Sequence, residues 1–155
     1  MTTYSHSFDL PANPDAVFPL FTPKGEELWV PDWKPDYIDP LSGETQPDMV
    51  FRTGGGEEET IWICLAFDFQ HRHARYLRMT PASRIAFVDV RCRAVGGGTE
   101  VAVQYRYVPL GPAGFALLHE MTPEGFAAMI EQWRDLILRN DRWPEWSGAG
   151  GSVNS

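Results

Sequence analysis

Apolar and polar side chains alternate one for one through Thr99, Val101, Val103, Tyr105 and Tyr107, with Glu100, Ala102, Gln104 and Arg106 between them. That period of two belongs to a strand with one covered face and one wet face. Residues 84–94 alternate in the same way, and three glycines, Gly96 to Gly98, separate the two runs. A turn at residues 95–98 pairs Ala94 with Thr99, Cys92 with Val101, Val90 with Val103, Val88 with Tyr105 and Ala86 with Tyr107. Asp89, Arg91 and Arg93 then share the outer face with Glu100, Gln104 and Arg106. A slip of one residue would bury Asp89, Arg91 and Arg93 among valines at a cost of several kcal/mol, so the pattern selects this register. A phosphate-binding loop would lead from its glycines into a helix, usually with a lysine; this one leads into a strand, so the glycines are read as a hairpin turn.

Further strands follow from the same period: a first one through Tyr4, His6, Phe8 and Leu10, then residues 37–41, 49–53, 60–67 and 73–79. Two short helices interrupt them early. Asn13-Pro14 and Thr22-Pro23 each place a capping side chain ahead of a proline at the first helical position. The prolines of WVPDWKPDYIDP exclude regular structure until the strand at 37–41. At the other end of the chain the period changes. Thr122 caps, Pro123 starts, and Phe126, Met129, Ile130, Trp133 and Ile137 recur at helical spacing, enough for a helix of ~25 Å that can lie across a sheet. The expected architecture is a curved antiparallel sheet of about seven strands wrapped around a C-terminal helix, in one domain over residues 1–142. Residues 143–155, rich in Gly and Ser, read as a flexible tail.

Composition narrows the function. With 43% hydrophobic residues, a chain of 155 residues can bury ~70% of its unfolded surface as a single globular unit. A net charge of −8 and a pI near 4.9 argue against nucleic acid or an anionic membrane as the main partner. There is no long apolar run, and MTTYSHSF does not read as a signal peptide, so a cytoplasmic protein is expected. Cys64 and Cys92 then read as reduced, packed thiols.

Three stretches carry a resemblance to a known family: ANPDAVFPLF after the first strand, the hairpin VFRTGGGEEETIW, and TPEGFAAMIEQWRDLI. Together with the order of elements across residues 3–140, they resemble the START-like (SRPBCC) superfamily. The resemblance implies a helix-grip fold around a deep, mostly apolar cavity that takes a hydrophobic ligand. Some members are enzymes, polyketide cyclases among them.

The candidate chemistry is sparse. His71-Arg72-His73 has the look of a metal pair but lacks a nearby carboxylate and is flanked by arginines, so no metal or other cofactor is expected. Neither cysteine carries a signature of activation, Glu57–Glu59 reads as a solvated hairpin tip, and no residue stands out as catalytic. The aromatic residues are the stronger signal. His6, Trp29, Trp33, Trp62, Tyr76, Arg78, Tyr105, Tyr107, Phe126, Met129 and Trp133 are the candidate ligand-binding set, around an internal cavity of at least ~300 Å³ between the C-terminal helix and the sheet. Arg75 and Arg78 are three apart and must face opposite ways, so one of them points inward. The length of the turn at TPAS decides which. An inward guanidinium would meet a carboxylate or carbonyl of the ligand, with Tyr105 or Tyr107 adding a hydrogen bond. The expected partner is a small hydrophobic molecule bound by a monomer or homodimer. A cyclase acting in the same cavity, with His6, Tyr105 and an arginine polarising a carbonyl, is the rival reading. A pocketless interaction module is a third, and it would have a filled interior.

Overall fold

The computed structural model describes residues 2–140, and the expected tail lies outside them. Seven strands form one antiparallel sheet: β1 (Thr2–Leu10), β2 (Asp36–Asp39), β3 (Val50–Thr53), β4 (Thr60–Asp68), β5 (His73–Thr80), β6 (Arg84–Val95) and β7 (Gly98–Pro109). Their order is β1-β7-β6-β5-β4-β3-β2, so five successive antiparallel connections build the sheet and the first strand closes on the last. Two short helices, α1 (Pro14–Val17) and α2 (Pro23–Glu26), flank a 3-10 turn at Phe18–Phe21. Both caps form as the sequence requires: the Asn13 side chain accepts from the Ala16 N–H and that of Thr22 from the Gly25 N–H, each at 3.0 Å. After β7 come α3 (Pro112–Glu120) and α4 (Pro123–Arg139), the latter capped by Thr122.

The β6–β7 register is the one the charge pattern selects. Ala86 pairs with Tyr107, Val88 with Tyr105, Val90 with Val103, Cys92 with Val101 and Ala94 with Thr99. The turn is tighter than residues 95–98, because Val95 itself pairs with Gly98 and Gly96 takes a positive φ of 57°. Between β5 and β6, Thr80 pairs with Arg84, leaving a three-residue turn in which Ala82 has φ 63°. An odd turn fixes the parity: Ala74, Tyr76, Arg78 and Thr80 face the concave side, and Arg75 faces out beside Asp89.

The pairing shifts register in β2, between Tyr37 and Asp39, and again in β4. In β4 the pairing skips between Cys64 and Ala66, so Leu65 is an extra residue. Trp62 and Cys64 point inward before the bulge and Phe67 after it, where Phe67 stacks on Phe18 at 5.4 Å. Cys64 and Cys92 are free and buried, and the core they join runs from Leu10, Val17 and Phe18 to Ile130 and Ile137 of α4. Helix α3 was not anticipated by the pattern. It follows β7 directly and seats Gly114 against the Ser83 carbonyl, where a Cβ would come within 1.8 Å. Among the described residues, no helix is long and apolar enough to cross a membrane.

Candidate functional site

The α4 helix touches the sheet along β1 and rides above it elsewhere. Where it rides high, a pocket of about 410 Å³ opens at one end of the molecule. The sequence reading expects an internal cavity; the open volume is instead a pocket at the surface, with Met129, Trp133 and Leu136 of α4 on one side and Tyr105 of β7, Arg78 of β5 and Trp62 of β4 on the floor. The segment between α2 and β2 supplies the remaining wall through Trp29, Val30, Pro31 and Trp33.

The pocket is less deep than the resemblance implies. Inward of it, Phe21, Tyr76, Val88, Val90, Tyr105 and Trp133 leave only about 20 Å³. The small residues of β6 do leave room, but aromatic rings occupy it: Phe21 stacks on Trp133 at 6.1 Å, and Tyr105 meets Trp133 edge-on at 6.3 Å. Phe21 from the 3-10 turn, Trp133 of α4 and the tyrosines of the sheet therefore plug the inner part of the sheet–helix gap, and the open volume lies at its mouth.

The indoles of the mouth are fixed by their polar edges. Trp29 Nε1 donates to the Leu20 carbonyl (2.8 Å), Trp33 Nε1 to the Pro23 carbonyl (2.9 Å), and Trp62 Nε1 to Thr53 Oγ1 (2.9 Å). Trp33 also packs edge-on against Trp62, and Trp62 stacks on Phe51 at 5.4 Å. With their N–H groups already bonded, these rings present carbon rather than donors to the pocket.

Arg78 lies over the Trp62 ring, its guanidinium carbon 4.7 Å from the ring centroid. Trp62 and Arg78 are direct cross-strand partners, and the small Ala86 faces Arg78 from the other side, so the guanidinium has room. No carboxylate among the described residues comes within ion-pair distance of it. Burial pushes the Tyr105 phenol up, with the neighbouring Arg78 charge opposing.

Glu26 is the residue that sequence reasoning missed. It stands at the end of α2, half-buried at the pocket edge, and also borders the small inner void. Loss of hydration pushes its carboxyl up to about 8, the positive charge of Arg78 only partly offsetting this. Among the described residues its carboxyl has no hydrogen bond and no ion pair. The only local hint is Gly25, whose missing Cβ would sit 1.9 Å from the Pro19 carbonyl; this contact lets α2 lie flat and turns Glu26 inward.

Of the candidate set, Trp29, Trp33, Trp62, Arg78, Tyr105, Met129 and Trp133 surround the pocket. Tyr76 lies deeper, its hydroxyl donating to the Phe21 carbonyl at 3.1 Å. His6, Tyr107 and Phe126 do not line the pocket. His6 Nε2 is 2.7 Å from Glu131 at the α4–β1 contact. Phe126 is sealed between Tyr4 and Tyr105, and Tyr107 packs beside them, because α4 lies directly on β1 there. The histidines of the H-x-H stretch are taken by carboxylates on the surface, His71 by Asp68 at 2.6 Å and His73 by Asp89 at 2.8 Å.

A seven-stranded antiparallel sheet curled about a C-terminal helix, with two short helices after the first strand, is a helix-grip fold. Solved structures agree. Ara h 8.0201 superposes with a TM-score of 0.62 at 14% identity, covering 97% of this chain and 98% of its own. Norcoclaurine synthase from Thalictrum flavum, in complex with dopamine and hydroxybenzaldehyde, gives 0.62 at 14% identity over 90% of this chain and 88% of its own. DynU16, a putative protein of the dynemicin biosynthetic locus, gives 0.55 at 14% identity over 92% of this chain and 47% of its own. Neither a family model nor a curated protein matches the sequence. At these identities the likeness establishes the fold.

Proposed function

We propose that this protein binds a small hydrophobic or aromatic molecule in the pocket between α4, the α2–β2 segment and the sheet. The observation that carries the reading is the set of three tethered indoles around an open volume of about 410 Å³. A core packed only for stability would close that space. Rings held apart by hydrogen bonds to Leu20, Pro23 and Thr53 form a preorganised apolar slot instead, with Arg78 as its cationic floor. The aromatic ligands of the norcoclaurine synthase complex support the reading by analogy of fold.

The test uses N-phenyl-1-naphthylamine, a neutral aromatic probe, followed by tryptophan quenching and probe emission. Saturable one-to-one binding is expected, weakened by roughly tenfold in Trp62→Ala. Binding that is unsaturable, or indifferent to Trp62, would remove the basis of the reading. Native mass spectrometry of the purified protein gives an independent readout in the form of a co-purifying small molecule.

A second reading rests on Glu26. A carboxyl titrating near neutrality beside a guanidinium and a phenol is suited to moving a proton on a carbonyl compound, with Arg78 and Tyr105 holding the developing oxyanion. That would make the pocket the active site of a cyclase-like enzyme working without metal. Turnover of a poly-keto or aryl-ketone substrate, abolished in Glu26→Gln, separates this enzyme from a binder.

A further inference from the structure

Arg78 and Glu26 present an electrostatic imbalance. Arg78 is a permanent cation in a pocket of indoles, with no carboxylate among the described residues within ion-pair distance. The carboxyl of Glu26 is at the same pocket, half-buried and without a hydrogen-bond partner among the described residues. The guanidinium has the Trp62 ring and the Tyr105 hydroxyl as neutral neighbours and no counter-charge in ion-pair contact, so a cation and a carboxyl without a hydrogen bond border one open volume, and leaving such groups unmatched is costly.

We propose, resting on the pocket reading above, that Glu26 and Arg78 form a two-armed clamp for an organic anion. The ligand is a ring system carrying one carboxylate- or sulfonate-type group. The guanidinium takes its ionised oxygens, and the neutral Glu26 carboxyl donates its O–H to one of them. Both arms are then satisfied by one ligand group, which neither a neutral hydrocarbon nor an organic cation can do. Trp29, Trp33, Met129 and Leu136 supply the apolar wall against which the rings pack.

The clamp makes anion uptake dependent on pH, and Glu26 sets the direction. Its carboxyl is held up to about 8, so below that pH it is neutral and donates. Above it, Glu26 becomes an anion that cancels the charge of Arg78 and repels the ligand. The phenols around it titrate above this range. Tyr76 on β5 and Tyr105 on β7 are pushed upward by burial, as is Tyr37 on β2. Along α2, Lys24 and Glu27 face each other at 3.8 Å. Helix α4 gives the pocket Gln132 and no charged side chain.

A matched pair of probes tests this: 8-anilinonaphthalene-1-sulfonate, ionised at every pH used, and N-phenyl-1-naphthylamine, the same ring skeleton without the sulfonate. Dissociation constants are measured for both from pH 6 to 9.5. The sulfonate is expected to bind about tenfold tighter than the neutral probe at pH 6.5. That advantage should fall by up to about tenfold per pH unit above 8, while the neutral probe stays flat. Glu26→Gln should flatten the sulfonate profile, and Arg78→Met should erase the preference for the anion at every pH. If the neutral probe binds and the sulfonate has no advantage, or its profile is unchanged in Glu26→Gln, the clamp is wrong and the pocket reading stands. If neither probe binds, both fall.

Discussion

A single carboxyl carries much of the pH behaviour expected of this protein. Glu26 holds its proton more tightly in the folded chain than in the unfolded one, because burial raises its pKa from 4.5 to about 8. The unfolded chain therefore releases this proton first, and the contribution of Glu26 to stability declines as pH rises from near 4.5 through 8. Glu26→Gln, which keeps the shape and removes the ionisation, should gain stability over the parent between pH 5 and 8. A gain of ~1–3 kcal/mol at pH 8 is expected, less than the full linkage value because water reaches the pocket mouth. Thermal melts of both proteins at pH 5 and pH 8 check it: a difference that does not grow with pH would show that Glu26 is well solvated. Burial shifts the thiols in the same sense. Burial pushes Cys64 up to about 11 and Cys92 up to about 12, so neither forms a thiolate near neutrality. Both should resist a disulfide-exchange reagent at pH 8 in the native protein and react at once in denaturant.

Secondary-structure elements show how far the sequence could be followed. The β6–β7 register was legible because Asp89, Arg91 and Arg93 alternate with Val88, Val90 and Cys92, and a slip would bury three charges. The facing of Arg75 and Arg78 was not, since it depends on whether the TPAS turn holds an odd or even number of residues. Ala82 at φ 63°, a conformation no composition rule assigns to alanine, settles it. Helix α3 escaped because its apolar residues form no clear stripe: Phe115 and Leu117 stay exposed and only Gly114 is buried. Glu26 escaped for a related reason, since in the run Lys24-Gly25-Glu26-Glu27 it looks like one more solvated charge. Its direction is set by the approach of α2 to the Pro19 carbonyl, which is a tertiary contact. That contact has a testable cost. Gly25→Ala places a Cβ 1.9 Å from the Pro19 oxygen and must push α2 outward. A loss of about 2 kcal/mol or more is expected in chemical denaturation, with a matching loss of probe binding at the mouth.

At the scale of the molecule, one helix does two jobs on its two ends of contact. Ile130 is fully buried against the sheet, whereas Met129, one residue earlier, is half-buried at the pocket. Ile130→Ala should therefore cost ~2–5 kcal/mol in unfolding measurements, and Met129→Ala under about 1.5 kcal/mol while altering probe affinity. Equal costs would mean that the pocket closes in solution. The sheet–helix architecture was readable in advance, but the aromatic plug inside it was not, because single rings from distant segments meet there. That plug has a practical consequence. The mouth shares Glu26, Trp62, Tyr105 and Trp133 with the small inner void and continues no further. The pocket is a blind alley, so a guest leaves by the way it came. With its charged group against Arg78 and Glu26, such a guest would keep its opposite end towards the opening, and any tether to a bead or dye should be attached at that end.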